Sequence, residues 1–133
     1  MARIAAKLEL AGYWTFLPQR DGLERYLLPL LDGAWARAPG SRAAGERLGR
    51  AVFDLDVYQL VERCRALVIN LNGRVPDEGA VAEAAIAFAV GRPVIMVKDD
   101  RRAPFSGLDN SMVSGLSAVG PIRRIDQLVG EVA

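Results

Sequence analysis

The chain of 133 residues contains no histidine and one cysteine, Cys64. Without histidine there is no Ser-His-Asp or Cys-His nucleophile and no His-based zinc site. A single cysteine excludes a disulfide within the chain and points to a reducing, cytoplasmic setting. In LVERCRALVIN, Cys64 reads as a buried, inert thiol, because no imidazole is there to activate it. Lysine is nearly missing too: of 17 basic residues only Lys7 and Lys98 are not arginine. The arginines are scattered and the net charge is +1, which argues against a surface for a nucleic-acid polymer. No apolar run approaches the ~20 residues of a membrane span, and Lys7 and Glu9 interrupt any signal-peptide core at the N-terminus. Any catalysis is left to carboxylates, Tyr, Lys, Arg or backbone groups.

What is present is a chain long enough to bury one core without disulfides or a structural metal. Residues 2–10 predict a helix stopped by Gly12, and YWTFL (Tyr13 to Leu17) predicts a strand ended by Pro18. Residues 23–31 predict a short helix, residues 32–42 a loop, and residues 42–50 a helical turn or two. DVYQLVERC predicts an amphipathic helix with Val57, Leu60, Val61 and Cys64 on one face. ALVINL and PVIMV are apolar runs of strand length, as strands buried on both faces require. Between them lies the apolar helix from Gly79 to Val90. SMVSGL predicts a short helix, SAVGPI a weak strand and RIDQLVGEV a last helix. Buried strands alternating with helices predict an α/β fold: a doubly wound, flavodoxin- or Rossmann-like parallel sheet with helices on both faces. Ligands bind such sheets beyond the carboxyl ends of the strands, where NGRVPDEG and KDDRRAPFSGLDN begin.

One helix stands out. From Gly79 to Gly91 every side chain is small or apolar except Glu83. Asp77 is suited to cap that helix, Gly79 lets a ligand approach the backbone of the first turn, and Glu83 lies one turn up. The helix dipole favours its ionised form. A capping Asp and a solvated Glu would read the same way. The functional alternative is a carboxylate pair at the sheet mouth, one member a nucleophile and the other handling a proton.

The stretch VFDLDVYQLVERCRALVINLNGRVPDEGAVAEAAIAFAVGRPVIMVKDDRR, with GLDNSMV and LAGYWTFLPQRDG, resembles the nucleoside 2-deoxyribosyltransferase family. Its most specific part is Asp77, Gly79 and Glu83 in register with GRPV and Asp100–Arg101. The resemblance implies that Glu83 attacks the sugar's anomeric carbon to give a covalent glycosyl-enzyme. It implies Asp77 and Asp56 as base and sugar contacts that manage the base's proton, and Asn72 and Gly79 as substrate-binding positions. Asn110 would bind the 5′-hydroxyl across an interface between copies, making the protein a homo-oligomer. The partner is then a nucleoside or nucleotide, and neither metal nor cofactor is called for.

Asn72 replaces the family's usual Asp, Ala80 a common Thr and Ala85 a common Gly. The family's opening strand and its Tyr-bearing loop have no counterpart, and Tyr13, Tyr26 and Tyr58 offer no substitute. Residues 1–133 are thus expected to form a single, N-terminally short domain. An earlier true start, a segment or subunit filling the gap, and a shortened relative that only binds all remain open. The competing functions are a nucleoside 5′-monophosphate N-glycosidase, with phosphate held by Arg20, Arg74, Arg101 or Arg102, and a non-catalytic nucleotide-binding subunit. Phosphoribohydrolases of the GGxGTxxE type are poorly matched by PDEGAVAE. Arg101 is expected to pair with Asp99 or Asp100.

Overall fold

The computed structural model describes residues 1–26, 39–102 and 109–132. In chain order the elements are α1 (Ala2–Leu10), α2 (Pro18–Asp21), α3 (Ser41–Tyr58), a π-helical turn (Gln59–Arg63), β1 (Leu67–Asn70), α4 (Glu78–Ala89), β2 (Val94–Val97), α5 (Ser111–Ser114), a 3₁₀ turn (Ile125–Gln127) and α6 (Leu128–Val132). They fall into two units, one of Met1–Thr15 with Leu60–Ala133 and one of Phe16–Gln59.

The first unit is a mixed helix and strand structure built on a parallel pair. Leu67, Val68, Ile69 and Asn70 face Val94, Ile95, Met96 and Val97 in register. Both strands consist almost wholly of β-branched and long apolar residues, and β2 is buried at every position. Strand side chains alternate between faces, so β2 feeds two cores. Val94 and Met96 join Leu60, Ile69, Leu71, Ala84, Ala87 and Val113. Ile95 and Val97 join Ile4, Leu8, Ile122 and Leu128. Ala84 and Ala87 are fully buried, so α4 lies close on the strands through side chains with little rotamer entropy to lose.

Two helices of this unit end alike. Gly12 (φ 89°) and Gly91 (φ 73°) follow α1 and α4 in the left-handed region, which costs other residues strain. Tyr13 and Arg92 then donate their N–H groups back to Leu8 and Ala87, and the two glycines to Glu9 and Phe88. This Schellman pattern satisfies the last carbonyls of each helix. It also explains GRPV: Gly91 stops α4, and Pro93 opens the route into β2.

In the unit Phe16–Gln59, Pro18 opens α2, and Asp21 accepts the Leu17 N–H at 2.8 Å while pairing with Arg20. The long helix α3 carries the i,i+4 pairs Arg42–Glu46 and Arg50–Asp54 and no fully buried residue.

Three expectations need correction. Tyr13–Leu17 forms no ladder: the Tyr13 N–H closes α1 and the Leu17 N–H is taken by Asp21, so donors a neighbouring strand would need are used locally. SAVGPI contributes only a single parallel bridge, Ile122 to Val97. The two helices expected around residues 42–50 and 56–64 are one, because AVFDL between them contains no Gly or Pro to break it. The expected helix 23–31 is helical at residues 24–26, and its remainder lies outside the described residues, as does most of the loop 32–42. Among the described residues no helix is long and apolar enough to cross a membrane.

Candidate active site

Asp77 caps α4. Its backbone is extended and its carboxylate accepts the Ala80 N–H at 3.0 Å, one of the orphan donors of the first turn. Gly79 is tied to that cap. A Cβ built on Gly79 would stand 3.2 Å from Asp77 Oδ1, so a larger residue would crowd the carboxylate. Asp77→Ala is expected to cost about 1 kcal/mol of stability, read as a shift in the urea midpoint, because the cap bond is lost and nothing else is disturbed.

Glu83 is half-buried, one turn above Gly79 and one turn before the fully buried Ala87. Its backbone therefore belongs to the packed part of α4, while its side chain lies at the margin of that face. A carboxylate placed so is carried by a helix that the core holds in place.

Asn72 joins the loops that leave the two strands. Its Oδ1 accepts the N–H groups of Asp99 at 3.0 Å and Asp100 at 3.3 Å, and its Nδ2 donates to the Asp99 carboxylate. Gly73 N–H donates to Asp100 Oδ2 at 2.9 Å. The loops leaving β1 and β2 are thereby fastened together at the carboxyl ends of the strands. An aspartate at 72 could not donate to Asp99. Asn72→Asp is expected to set two carboxylates against each other and lower stability by about 1–2 kcal/mol in urea titrations at pH 7, with the loss shrinking at high salt.

Asp100 is paired by Arg102 rather than Arg101, at 2.6 Å. The Arg102 guanidinium and N–H, with the Gly73 N–H, hold its carboxyl well below the usual carboxylate range. Asp99, Asp100, Arg101 and Arg123 line an open cleft of about 580 Å³ just beyond β2. Asn110 caps α5 through Oδ1, which accepts the Met112 N–H at 2.9 Å, and the residue is exposed. Among the described residues no group of three or more Cys, Asp or Glu side chains is gathered to hold a metal ion.

Asp56, in the other unit, is half-buried on α3, and burial, with a smaller push from Glu24, raises its carboxyl to about 6. Its Oδ1 and the Oε1 of Gln59, three residues further on, are buried with no hydrogen-bond partner among the described residues. Buried acceptors left unmatched are uncommon and invite a donor. Cys64 is half-buried rather than buried, and burial raises its thiol against a smaller opposing pull from Arg92. That keeps it in the poorly reactive thiol form.

The model of the family described as nucleoside 2-deoxyribosyltransferase matches residues 1–116. The chain belongs to that family. A search of curated proteins found no match. The matched stretch of this deoxyribosyltransferase-family chain takes in the cap at Asp77, the carboxylate of Glu83, both strand-end loops and Asn110. Three residues went unnoticed as site candidates in the sequence: Gln59, Lys98 and Asp109. The signal for Lys98 was available, as one of two lysines in the chain and as the direct continuation of the apolar run PVIMV.

Proposed function

We propose that this chain cleaves or transfers the N-glycosidic bond of 2′-deoxynucleosides through a covalent glycosyl-enzyme on Glu83. The observation that carries this reading is the half-buried Glu83 on a packed, Asp77-capped helix within the family-matched stretch. The Glu83 carboxylate attacks the anomeric carbon, the C–N bond breaks, and its electron pair leaves with the base, which takes up a proton. A second base or water then attacks the same carbon, frees the carboxylate and gives up a proton, so that configuration is retained. Asp77, the other member of the carboxylate pair, would handle the proton of the base. Asp77, Gly79 and Asn72 would shape the loops around the sugar, and Asn110 would complete a neighbouring copy's site at the 5′-hydroxyl. This assignment goes with a doubly wound sheet, a single functional domain and a cytoplasmic homo-oligomer.

A second reading, a nucleoside 5′-monophosphate N-glycosidase, is favoured by one observation: Arg101 and Arg123 line the cleft beyond β2. Arg20 and Arg102 are already held by Asp21 and Asp100.

Incubation with a 2′-deoxynucleoside, with and without a second free base, tests both. Product forming only with the second base marks a transferase, and base release without it a hydrolase. A preference for the 5′-monophosphate selects the second reading. Ligand binding with neither turnover nor a sugar adduct in the intact mass would sink both and leave a binding subunit.

A further inference from the structure

Lys98 follows directly on β2 and is 2% exposed, the one charged residue counted as buried among the described residues. Its backbone is fixed on both sides. The N–H donates to Ile122 at 2.9 Å, and the carbonyl accepts from Arg123 at 3.5 Å. Its ammonium forms an ion pair with Asp109, itself 11% exposed. Asp109 is the residue before Asn110. On the other side, the N–H groups of Val113 and Ser114 donate to the Asn110 carbonyl, and Val113 is packed in the core cluster of Met96 and Leu60. Asn110 is thus held before and after, with its Oδ1 spent on Met112 and its amide N–H₂ on an exposed residue.

A buried ion pair is weak as a source of stability, because the desolvation of both ions offsets most of their attraction. An apolar pair of similar size would pack as well. What the pair does supply is direction: an ammonium at the end of a rigid strand fixes where one carboxylate, and the residue after it, must sit.

We infer that Lys98 is a positioning residue, whose pairing with Asp109 sets the place from which Asn110 offers its amide to the 5′-hydroxyl of a nucleoside. The inference rests on the proposed reading of Asn110. Lys98 touches no substrate and acts through Asp109.

The test compares kcat/KM for a 2′-deoxynucleoside with that for its 2′,5′-dideoxy analogue. The chain discriminates between them by about tenfold or more, as expected of a site built to bond a hydroxyl. Asn110→Ala brings the ratio close to one. The double variant Lys98→Met/Asp109→Leu removes both charges, keeps a wild-type melting temperature and loses the discrimination to the same extent. Adding Asn110→Ala to it costs nothing further. Asp109→Glu keeps the ion pair but lengthens it by one methylene; the ratio then falls several-fold without loss of stability, which a purely structural pair would not produce. A folded double variant and a folded Asp109→Glu that both discriminate like the wild type would overturn the positioning role alone. Unaltered discrimination in Asn110→Ala, or no turnover by the wild-type chain, would overturn the underlying reading and this inference with it.

Discussion

Glu83→Gln is expected to abolish the covalent sugar adduct and to lower base release by at least about a thousandfold. The replacement is isosteric, and an amide is too weak a nucleophile to open the glycosidic bond and form the ester. The fold is expected to stay intact, because what holds α4 lies elsewhere. The helix is anchored by Ala84 and Ala87 in the core, started by Asp77 and stopped at Gly91. A melting temperature near that of the wild type, beside lost turnover, therefore separates chemistry from folding. Glu83→Ala adds a second reading of the same step. It leaves a gap where the carboxylate stood, and a small anion such as formate is expected to restore part of the base release. Turnover in Glu83→Gln within tenfold of the wild type would end the case for a covalent intermediate on this residue.

Asp56→Asn is expected to raise stability at neutral pH. Its carboxyl titrates near 6 against an ordinary value of 3.8, so between those values the native chain holds a proton that the unfolded chain has released. Unfolding stability changes with pH as the protons bound in the unfolded state minus those in the native state, a negative quantity here. The wild type therefore loses stability as pH rises from about 4 to about 6 and stays at the lower level above. A shift of roughly two units corresponds to at most about 3 kcal/mol, and the group's partial exposure to solvent reduces that to about 1 kcal/mol. The Asn variant is expected to be more stable by this amount at pH 7, with the difference gone near pH 4, in urea titrations at several pH values. Equal urea midpoints for the two proteins across this range would show that Asp56 carries no such cost.

Much of this was legible in the sequence because it depends on neighbours along the chain. Gly12 and Gly91 mark helix ends by their own backbone freedom, and Asp77 caps a helix three residues away. ALVINL and PVIMV are apolar enough to read as strands without knowing their partners. What was not legible depends on residues far apart. Whether Tyr13–Leu17 becomes a strand is decided by the availability of a partner and by where its N–H groups are spent. The bonds of Asn72 to Asp99 and Asp100, 27 and 28 residues on, have no local pattern in the sequence to announce them. Lys98 and Asp109, 11 residues apart, show no periodic pattern that would join them. The family resemblance carried Asn110 by position alone, whereas Glu83 and Asp77 already stood out in their helix, Asp77 as its cap.

The fastening of the two strand-end loops also bears on how the protein ages. Asn72–Gly73 is an Asn-Gly step, the sequence in which a backbone nitrogen most readily attacks the preceding side-chain amide and converts it to aspartate or isoaspartate. Here the Gly73 N–H is engaged by Asp100, and the Asn72 amide is held by Asp99. Nucleophile and target are both restrained while the chain is folded, and both are released when these loops open. Deamidation would then leave a carboxylate facing Asp99 and oppose reclosure, so each local opening carries some chance of becoming permanent. The chemical lifetime of the protein is thereby tied to how rarely this one junction comes apart.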